Sequence, residues 1–371
     1  MLPPIRRASL GFIAVIVFSS RVGYSLPAAE YSLGKGAPTT SLAGKSDSDV
    51  YLMRDDAVFR FDGKRAVKTK NQPVCVATYP QDQATYPVNV GQRDAEIEAR
   101  KYRARPPNAE EDYRWQPVKF TTLANEGGVI RVYGSGDQLD MRGSVRRGFS
   151  ARLRGDAWVC EGWSGAEGGA IFELAYDGES TFASTENYAS AVLYQDPDTY
   201  PFAQAPGSII GVTAAGIHGV WAWNRESPTA YHLDGFSWDI RRLETWASVA
   251  RVLSAGPGRA YAIGSTSQTR EDNTTEFQSD AFAFWNGRTW VSIALPAGFN
   301  VQPRGLLVES PDRVLLVGEK GQYNWYERGV FRPDTGPQIR ITTVWRSPSQ
   351  RWFLGGQCGD KDCLVKIGGL S

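Results

Sequence analysis

One short pattern recurs along this chain and constrains its fold more than any single motif does. An apolar strand leads into a turn, a second aromatic strand follows, and a dipeptide containing glycine closes the unit. The closing glycines are Gly178, Gly235, Gly287, Gly329 and Gly369, which lie about 40 to 57 residues apart. Self-similarity at such a period is typical of arrays in which each unit buries its apolar face against the next one.

Six copies of this pattern can be read from the sequence. They occupy residues 49–63, 156–178, 219–235, 259–287, 313–329 and 351–369. The gap from residue 63 to residue 178 spans about two periods, so we expect one weak copy there, where strand-like sequence resumes at 118–123 and 128–133. The sequence therefore predicts an all-β fold, a β-propeller of about seven blades, with six as the alternative count.

The ring of blades is expected to be closed. The C-terminal strand, residues 363–367, is predicted to complete a sheet with the N-terminal repeat, because closure removes exposed strand edges. The aromatic residues of the repeated strands have strand spacing and are interpreted as packing between neighbouring sheets. These aromatic residues are Trp221, Trp223, Phe282, Phe284, Tyr323 and Trp325.

Three phrases carry a resemblance to known repeats: GVWAW…YHLDGFSW, AFAFWNGRTW and RVLLVGEKGQYNWYERG. They resemble the propeller repeats of secreted bacterial proteins, of the kelch-like and Asp-box-like kind. The resemblance covers roughly residue 46 to the C-terminus and concerns repeat style, not an enzyme family. The Ser-x-Asp-x-Gly order that defines an Asp box is missing from Trp285-Asn-Gly-Arg-Thr-Trp290. The resemblance therefore assigns a role in glycosidase activity to no residue of this chain.

The N-terminus has the features of an export signal. Arg6 and Arg7 precede an apolar run at residues 8–18, which suits a signal peptide and is too short to span a bilayer. Cleavage is expected after Ser25 or near Ala28 and Ala29. The sequence thus predicts an exported protein, periplasmic or extracellular, with no membrane span after cleavage.

Three segments follow from these boundaries. Residues 1–29 form the predicted signal peptide, residues 30–45 a flexible lead-in rich in small residues, and residues 46–371 the propeller. Within the propeller, residues 79–115 are polar and lack the repeat pattern. We interpret them as an insertion, because they have too few apolar residues for a core of their own.

Cysteine usage agrees with an oxidising compartment. Cys358 and Cys363 flank four residues between two apolar strands, and a hairpin there would place them opposite each other, within reach of a disulfide. A metal site formed by the two cysteines is the alternative, although no other Cys or His lies nearby in the sequence to complete a tetrahedral site. Cys75 and Cys160 are predicted to form a second bridge across a long loop, with two buried free thiols as the alternative.

Charge and histidine content limit the chemistry. The formal net charge of +1 gives no basic footprint for nucleic acid. His218 and His232 are the only histidines, and a hairpin that pairs His232 with Trp221 keeps the two imidazoles too far apart to share a zinc ion. No cofactor or metal is predicted, except that two acidic turns, Asp196-Pro-Asp198 and Asp360-Lys-Asp362, offer oxygen ligands for calcium.

The inner hairpin loops of successive repeats differ greatly in length. Corresponding loops of a propeller emerge on one face, and such insertions tend to mark the binding face. The candidate binding residues are Trp163, Arg225, Arg270, Glu271, Asp272 and Gln322.

The favoured function is a non-catalytic binding scaffold that presents these loops to a protein or a surface glycan. The alternatives are a secreted polysaccharide hydrolase or lyase that uses loop carboxylates, and a structural component of the envelope. The sequence does not choose a carboxylate pair for catalysis, so no catalytic residue is assigned.

Overall fold

The computed structural model describes eleven segments of the chain. These are residues 28–75, 118–140, 143–167, 171–176, 181–185, 192–194, 209–214, 219–224, 227–234, 237–269 and 276–368. The predicted insertion at residues 79–115 and most of the predicted signal peptide lie outside them. Every regular element in the described segments is a β-strand, apart from the short 3-10 turn η1 (Glu319–Gly321).

The described strands form seven antiparallel sheets, six with four strands and one with three. They are numbered as blades 1 to 7 in chain order, with strands A to D from the first to the last. Blade 1 contains β2 (Ser41–Ser46), β3 (Asp49–Arg54), β4 (Ala57–Phe61) and β5 (Ala66–Lys68). Blade 2 contains β6 (Lys119–Glu126), β7 (Val129–Asp140), β8 (Gly143–Arg154) and β9 (Ala157–Glu167). Blade 3 contains β10 (Ile171–Tyr176), β11 (Thr181–Thr185) and β12 (Val192–Tyr194).

The later blades are built in the same way. Blade 4 contains β13 (Gly211–Thr213), β14 (Val220–Trp223), β15 (Thr229–Asp234) and β16 (Ser237–Arg242). Blade 5 contains β17 (Ser248–Gly256), β18 (Arg259–Thr269), β19 (Glu276–Trp285) and β20 (Trp290–Ile293). Blade 6 contains β21 (Val301–Ser310), β22 (Arg313–Gly318), β23 (Gln322–Glu327) and β24 (Val330–Thr335). Blade 7 contains β25 (Arg340–Arg346), β26 (Trp352–Cys358), β27 (Lys361–Ile367) and β1 (Ala28–Gly34).

The A strands form a closed ring. Each contacts the A strand of the next blade, in the order β2, β6, β10, β13, β17, β21, β25 and back to β2. Seven sheets arranged around one axis are the architecture of a β-propeller. The predicted fold is confirmed, and the blade count is seven.

Blade 7 is completed by the N-terminal strand. β1 pairs with β27 from Ala28 opposite Ile367 to Ser32 opposite Cys363. The predicted partner of the C-terminal strand was the N-terminal repeat, so that prediction is wrong in detail. The flexible lead-in expected at residues 30–45 is also not found, because β1 and the start of β2 lie there. Tyr31 holds β1 in place by packing its ring against Phe61 of blade 1, with ring centres 4.8 Å apart.

One copy of the repeat was assigned to the wrong blade. Residues 156–178 were read as a single copy, but they contain β9, the D strand of blade 2, and β10, the A strand of blade 3. The weak copy expected at 118–123 and 128–133 lies in β6 and β7, the A and B strands of blade 2, whose C strand is β8. An alternating pattern identifies a strand but not the sheet that it joins, since the period of two is the same in every strand.

Aromatic residues fill the spaces between blades, as predicted. Trp221 is fully buried and its indole meets those of Trp285 and Trp290, with ring centres 5.6 Å and 5.3 Å away. These contacts join blade 4 to blade 5 in edge-to-face geometry, which aromatic pairs prefer. Trp223, Phe282, Tyr323 and Trp325 are also buried, and Phe284 is half-buried.

Tight turns connect the C and D strands where the sequence has Asp-Gly or Asn-Gly. In blade 5, Gly287 has φ of 94°, a conformation that side chains with a Cβ rarely adopt. The side chain of Asn286 accepts hydrogen bonds from the backbone N–H groups of Arg288 and Thr289, each at 2.9 Å. Asp62 and Gly63 repeat this arrangement in blade 1, so the turn dipeptide was read correctly.

Both predicted disulfides are present, each with 5.8 Å between the Cα atoms. The Cys75–Cys160 bridge joins the segment after blade 1 to β9 of blade 2. In blade 7 the predicted register is wrong, because the hairpin turn contains only two residues, Gly359 and Asp360. Cys358 lies opposite Lys361, and Cys363 lies opposite Gly356. The Cys358–Cys363 bridge is therefore diagonal across the strand pair.

Candidate functional site

The two faces of the ring carry different connections. The turns between strands A and B, and between C and D, lie on one face. The hairpins between strands B and C lie on the other, together with the connections from each blade to the next. This second face is termed the B–C face, and the predicted binding loops belong to it.

Most of the predicted binding residues lie outside the described segments. They are Arg225, Arg270, Glu271 and Asp272, whose positions in the chain fall between the B and C strands of blades 4 and 5. Gln322 is described; it is the first residue of β23, follows η1 on the B–C face and is exposed to solvent. Gln322 therefore lies on the B–C face, and a binding role for it and for the other four residues remains a prediction.

Trp163 is in a different place from the one predicted. It was assigned to an inner hairpin loop at residues 161–169, but it lies within β9, the D strand of blade 2. The error follows from the assignment of residues 156–178 to one blade. Trp163 is therefore no longer a candidate among the residues of the inner hairpin loops.

Two B–C hairpins are much longer than the others. In blade 2, β7 and β8 each have twelve residues, whereas β3 of blade 1 has six. In blade 5, β18 has eleven residues and β19 has ten. All three B strands begin directly after an A–B turn, so the extra length extends toward the B–C face. At about 3.3 Å per residue, the two hairpins extend roughly 15 to 20 Å beyond that of blade 1.

The long hairpins face each other across the ring. Blades 2 and 5 are three blades apart in one direction and four in the other, so the axis of the propeller passes between them. At the base of the blade 5 hairpin, the carboxylate of Asp280 accepts a hydrogen bond from the backbone N–H of Val301 in blade 6, at 2.7 Å. A second contact joins the hydroxyl groups of Thr266 and Ser279 at 2.7 Å. These contacts support the hairpin where it leaves the blade.

A cavity of about 380 Å³ runs along the axis between the A strands. Its wall includes residues of all seven blades, because each A strand contributes to it. Trp223 of β14 reaches the cavity by crossing Gly211 of β13. A Cβ added at Gly211 would lie 2.0 Å from the Trp223 ring, so only glycine leaves room for the indole. The indole N–H donates to the carbonyl of Ala250 at 3.2 Å, which fixes its orientation.

Three arginines from consecutive A strands line this cavity: Arg251, Arg304 and Arg346. Arg251 is 8% exposed and donates to the carbonyl of Arg304 at 3.0 Å. Arg346 is half-buried and donates to the carbonyl of Glu309 at 2.7 Å. Burial lowers the pKa of Arg346, and the charge of Glu309 partly opposes this effect.

A layer of small hydroxyl groups surrounds the same part of the axis. Ser41, Thr122 and Thr343 are buried, and each directly precedes the core residue of its A strand, as Arg251 does in blade 5. Ser41 accepts a hydrogen bond from the backbone N–H of Leu123 in the next blade, at 2.8 Å. The wall is therefore polar and cationic at this level, and the hydroxyl layer also connects adjacent blades.

The three arginines of the cavity wall were not predicted from the sequence, although Arg251, Arg304 and Arg346 recur at about one repeat length. The repeat pattern is stronger in the B and C strands than in the A strands that carry these arginines. Arginines that recur on the innermost strands would have pointed to the axis.

The other polar candidates have structural partners or lie outside the described residues. His232 pairs with Trp221, as predicted, and their rings are 4.6 Å apart; His218 is not described. The Asp196 turn also lies outside the described segments. In the Asp360 turn, Asp362 accepts hydrogen bonds from Thr39. Within the described segments, no cluster of three or more His, Cys, Asp or Glu side chains is placed to hold a metal ion.

Comparisons with known proteins identify the fold. No protein-family model matches the chain, and no curated protein matches it. The structure is similar to Ycf48 bound to a D1 peptide, with a TM-score of 0.58 and 12% identity over 93% of this chain and 97% of that one. What they share is the β-propeller. The propeller of Ycf48 from Cyanidioschyzon merolae is also similar, with a TM-score of 0.57 and 11% identity over 91% of this chain and 98% of that one.

A WD40 repeat protein gives the same result. The WD40 repeats of Rrp9 match this propeller with a TM-score of 0.56 and 9% identity, over 91% of this chain and 97% of that one. At these identities the likeness concerns the fold alone, and propellers host many unrelated functions. Among the described residues of this propeller, no helix is long and apolar enough to cross a membrane.

Proposed function

We propose that this protein is an exported, non-catalytic binding scaffold whose B–C face receives a protein or a surface glycan. The observation that carries the proposal is the pair of long hairpins in blades 2 and 5. They stand on the same face, on opposite sides of the axis.

The propeller supplies a rigid base for such a face. In the part of the ring whose side chains are described, neighbouring blades pack through buried aromatic and aliphatic side chains, and this core leaves the loops free to vary. Binding residues are often carried on loops above a rigid scaffold. The Ycf48 propeller, which holds a D1 peptide, shows that a ring of this architecture can receive a polypeptide.

Export is supported by the cysteines as well as by the N-terminal signal. All four cysteines of the chain are paired in disulfides. Disulfides form and persist in oxidising compartments and are rare in the cytosol. These bridges favour the periplasm or the extracellular space as the site of action.

The test compares the full mature protein with variants that lack one long hairpin. Ser265 and Asp280 face each other in blade 5, so replacing residues 266–279 with Asn-Gly gives a two-residue hairpin in the correct register. Ser135 and Gly148 offer the same junction in blade 2. An exposed change on the opposite face, Lys64→Ala, serves as the matched control.

Two probe sets cover the two classes of partner. Neutral and acidic oligosaccharides are screened by thermal unfolding, in which a ligand at 100 times its Kd adds about 2.7 kcal/mol to the folded state. Peptides displayed on phage are selected against the immobilised protein. We expect a ligand from one set whose binding is lost when either hairpin is shortened and kept in Lys64→Ala. Equal binding by the shortened variants would contradict the proposal, and so would release of a product from the bound glycan.

A further inference from the structure

We propose that the face opposite the B–C face binds the surface of a lipid bilayer that contains anionic phospholipids. This face carries the A–B and C–D turns and is termed the A–B face. The surface in question covers blades 5, 6, 7, 1 and 2, which are consecutive around the ring. The evidence is the flatness of this face, the arginines at its rim and the exposed valines beside them. The proposal does not depend on the function proposed for the B–C face.

The A–B face is flat because its turns are short. In blades 1, 2, 5 and 6, only two residues separate the A strand from the B strand. The C–D turns contain two residues in blades 2 and 6 and four residues in blades 1 and 5. None of these turns projects as the B–C hairpins of blades 2 and 5 do. Several blades can therefore touch one planar surface at the same time.

Three blades place an arginine at the rim of this face. Arg154 is the last residue of β8, Arg288 lies in the C–D turn of blade 5, and Arg328 lies in the C–D turn of blade 6. All three side chains are exposed. Within the described part of the chain, no carboxylate lies within salt-bridge distance of them. Their charges are therefore available to an external anion.

The acidic side chains of this face are already compensated. Eight acidic residues lie in the turns of these blades or within two residues of them, and seven of the eight pair with a basic side chain. The pairs are Asp47 with Arg351 and Lys366, Asp49 with Arg60, Asp62 with Arg65, Glu126 with Arg131, Glu309 with Arg313, Asp312 with Arg259, and Glu327 with Arg332. The eighth is Asp156. Unpaired charge at this rim is thus mainly positive.

Exposed aliphatic side chains are concentrated on the same face. The large apolar residues that are exposed in the described part of the chain are Val67, Val129, Ile240, Val291 and Val330. The four valines are each the first or second residue of a strand that begins directly after an A–B or C–D turn. They therefore lie at the A–B face, whereas the isoleucine lies in the middle of β16.

The valines lie next to the arginines. Val330 follows Arg328 by two residues, and Val291 follows Arg288 by three. In blade 2, Arg131 pairs with Arg152, and the same register extended by two residues places Val129 opposite Arg154. One combination, an unpaired arginine beside an exposed valine, is thus repeated in three blades.

This combination fits the surface of a bilayer. Anionic headgroups attract cationic side chains, and aliphatic side chains are stabilised at the boundary between headgroups and acyl chains. The stem of arginine is itself apolar, so the guanidinium can contact a phosphate while the stem packs against apolar groups. A hydrated acidic polymer has no apolar layer and would leave the valines in water. We therefore assign a bilayer, not an acidic polysaccharide, to this face.

The experiment measures how much of the full, oxidised mature protein sediments with lipid vesicles. Vesicles of phosphatidylcholine alone are compared with vesicles of phosphatidylcholine and phosphatidylglycerol in equal parts. We expect binding to the mixed vesicles and none to phosphatidylcholine alone. Binding should weaken as the salt concentration rises, because salt screens the attraction between the arginines and the headgroups.

Arginine variants locate the surface. Arg154→Gln, Arg288→Gln and Arg328→Gln are each expected to lower the partition coefficient about fivefold, and the triple variant roughly a hundredfold. Arg242→Gln is the matched control. Arg242 is exposed and is the last residue of β16, which places it at the B–C end of its blade. The control should bind vesicles as the original protein does.

A second set of variants tests the aliphatic contribution without changing the charge. Threonine has the branched shape of valine but replaces one methyl group with a hydroxyl group. The double variant Val291→Thr, Val330→Thr is expected to weaken vesicle binding at least about fourfold. Ile240→Thr is its control, because Ile240 is 51% exposed and Val330 57%. This control should not change the binding.

Several outcomes would overturn the assignment. Failure to bind the mixed vesicles would do so, as would equal losses in Arg242→Gln and the rim variants, or in Ile240→Thr and the valine variant. Binding to soluble polygalacturonate but not to vesicles would replace the bilayer with an acidic polymer. Thermal unfolding identifies any variant that fails to fold, and the remaining rim variants then decide.

The hairpin-shortened proteins distinguish this proposal from the previous one. They lack a long hairpin of the B–C face and retain the entire A–B face, so they should bind the mixed vesicles as the original protein does. Loss of vesicle binding in them would move the membrane contact to the B–C face and refute the assignment. A failure of vesicle binding alone would leave the proposal for the B–C hairpins unaffected.

Discussion

Replacement of Asp362 by alanine is predicted to destabilise the joint between the last blade and the first. Asp362 lies in β27 and is completely buried. Its two oxygens accept from the backbone N–H of Thr39 at 2.9 Å and from the Thr39 hydroxyl at 2.8 Å. Arg54 of β3 lies 3.8 Å away. Since Thr39 lies two residues before β2, a single carboxylate of blade 7 holds the start of blade 1.

The size of the effect follows from these contacts. A hydrogen bond to a charged group contributes about 1.5 to 3 kcal/mol. Breaking a buried pair by removing one partner costs about 3 to 5 kcal/mol, because the remaining charge is left uncompensated. The guanidinium of Arg54, whose side chain is only 11% exposed, would keep Asp55 as a counter-charge at 3.6 Å, so the lower end of this range applies. We therefore expect Asp362→Ala to lower the free energy of unfolding by about 3 kcal/mol.

The effect of the charge of Asp362 on stability can be measured separately from the effect of its shape. Burial raises the pKa of Asp362, although the Thr39 hydrogen bonds and Arg54 oppose the shift. Because the pKa of Asp362 is raised in the folded protein, its contribution to the free energy of unfolding decreases as the pH rises from 3.8 through that raised pKa. Asp362→Asn keeps an acceptor oxygen without that ionisation cost. We expect it to lose less stability than Asp362→Ala, by about half.

The assay is urea unfolding of the oxidised protein at pH 7. Asp360→Ala is the matched control, because Asp360 lies two residues away, is 74% exposed and approaches Lys35 only at 3.8 Å. Such a surface pair contributes less than about 1 kcal/mol. If Asp362→Ala unfolds within about 0.5 kcal/mol of the original protein, or if Asp360→Ala costs as much, this account of the joint is refuted.

Three further outcomes are expected. Burial raises the pKa of Asp47, but hydrogen bonds from two serines and a lysine outweigh burial and lower this pKa to about 2. The free energy of unfolding should therefore decrease by up to about 2 kcal/mol as the pH falls from 3.8 toward 2. Acid unfolding of Asp47→Asn should lack this decrease. N-terminal sequencing of the mature protein should show cleavage after Ser25, because removal of Ala28 would delete the first residue pair between β1 and β27. A mature chain that starts after Ala28 would contradict this prediction. Replacement of both Cys75 and Cys160 by alanine should lower the free energy of unfolding by roughly 4 kcal/mol. Their bridge spans 85 residues, and a cross-link that closes a long loop removes the most entropy from the unfolded chain. A change below about 1 kcal/mol in urea unfolding would count against this entropic model.

Much of the fold could be predicted because the repeat is local. Two paired strands, their turn dipeptide and their buried aromatics are contained in about 20 residues, as in β14 and β15, where Trp221 and His232 pair as expected. The all-β class, the propeller and its seven blades followed from counting such units. Each unit specifies its own hairpin through alternation and turn chemistry.

Other features depend on contacts between distant parts of the chain. β1 has few large apolar residues, so its sequence gave no strand signal; its partner, β27, lies at the other end of the sequence. The register of Cys358 and Cys363 depended on a turn of two residues, and a shift of one residue changes every pair in a hairpin. Arg251, Arg304 and Arg346 line one cavity only after the A strands surround the axis.

The pairing of β1 with β27 has a consequence for how the protein folds. Thr39 and Asp362, which meet at this joint, are 323 residues apart, so their contact forms late and at a high entropic cost. As the chain is synthesised, its first strand must wait for almost the entire sequence before it finds a partner. Until then the ring is open, and the edges of its first and last sheets are free to pair with other molecules. The period of greatest risk for aggregation is thus the interval before the last strand arrives, and a chaperone that covers strand edges would act on this protein during that interval.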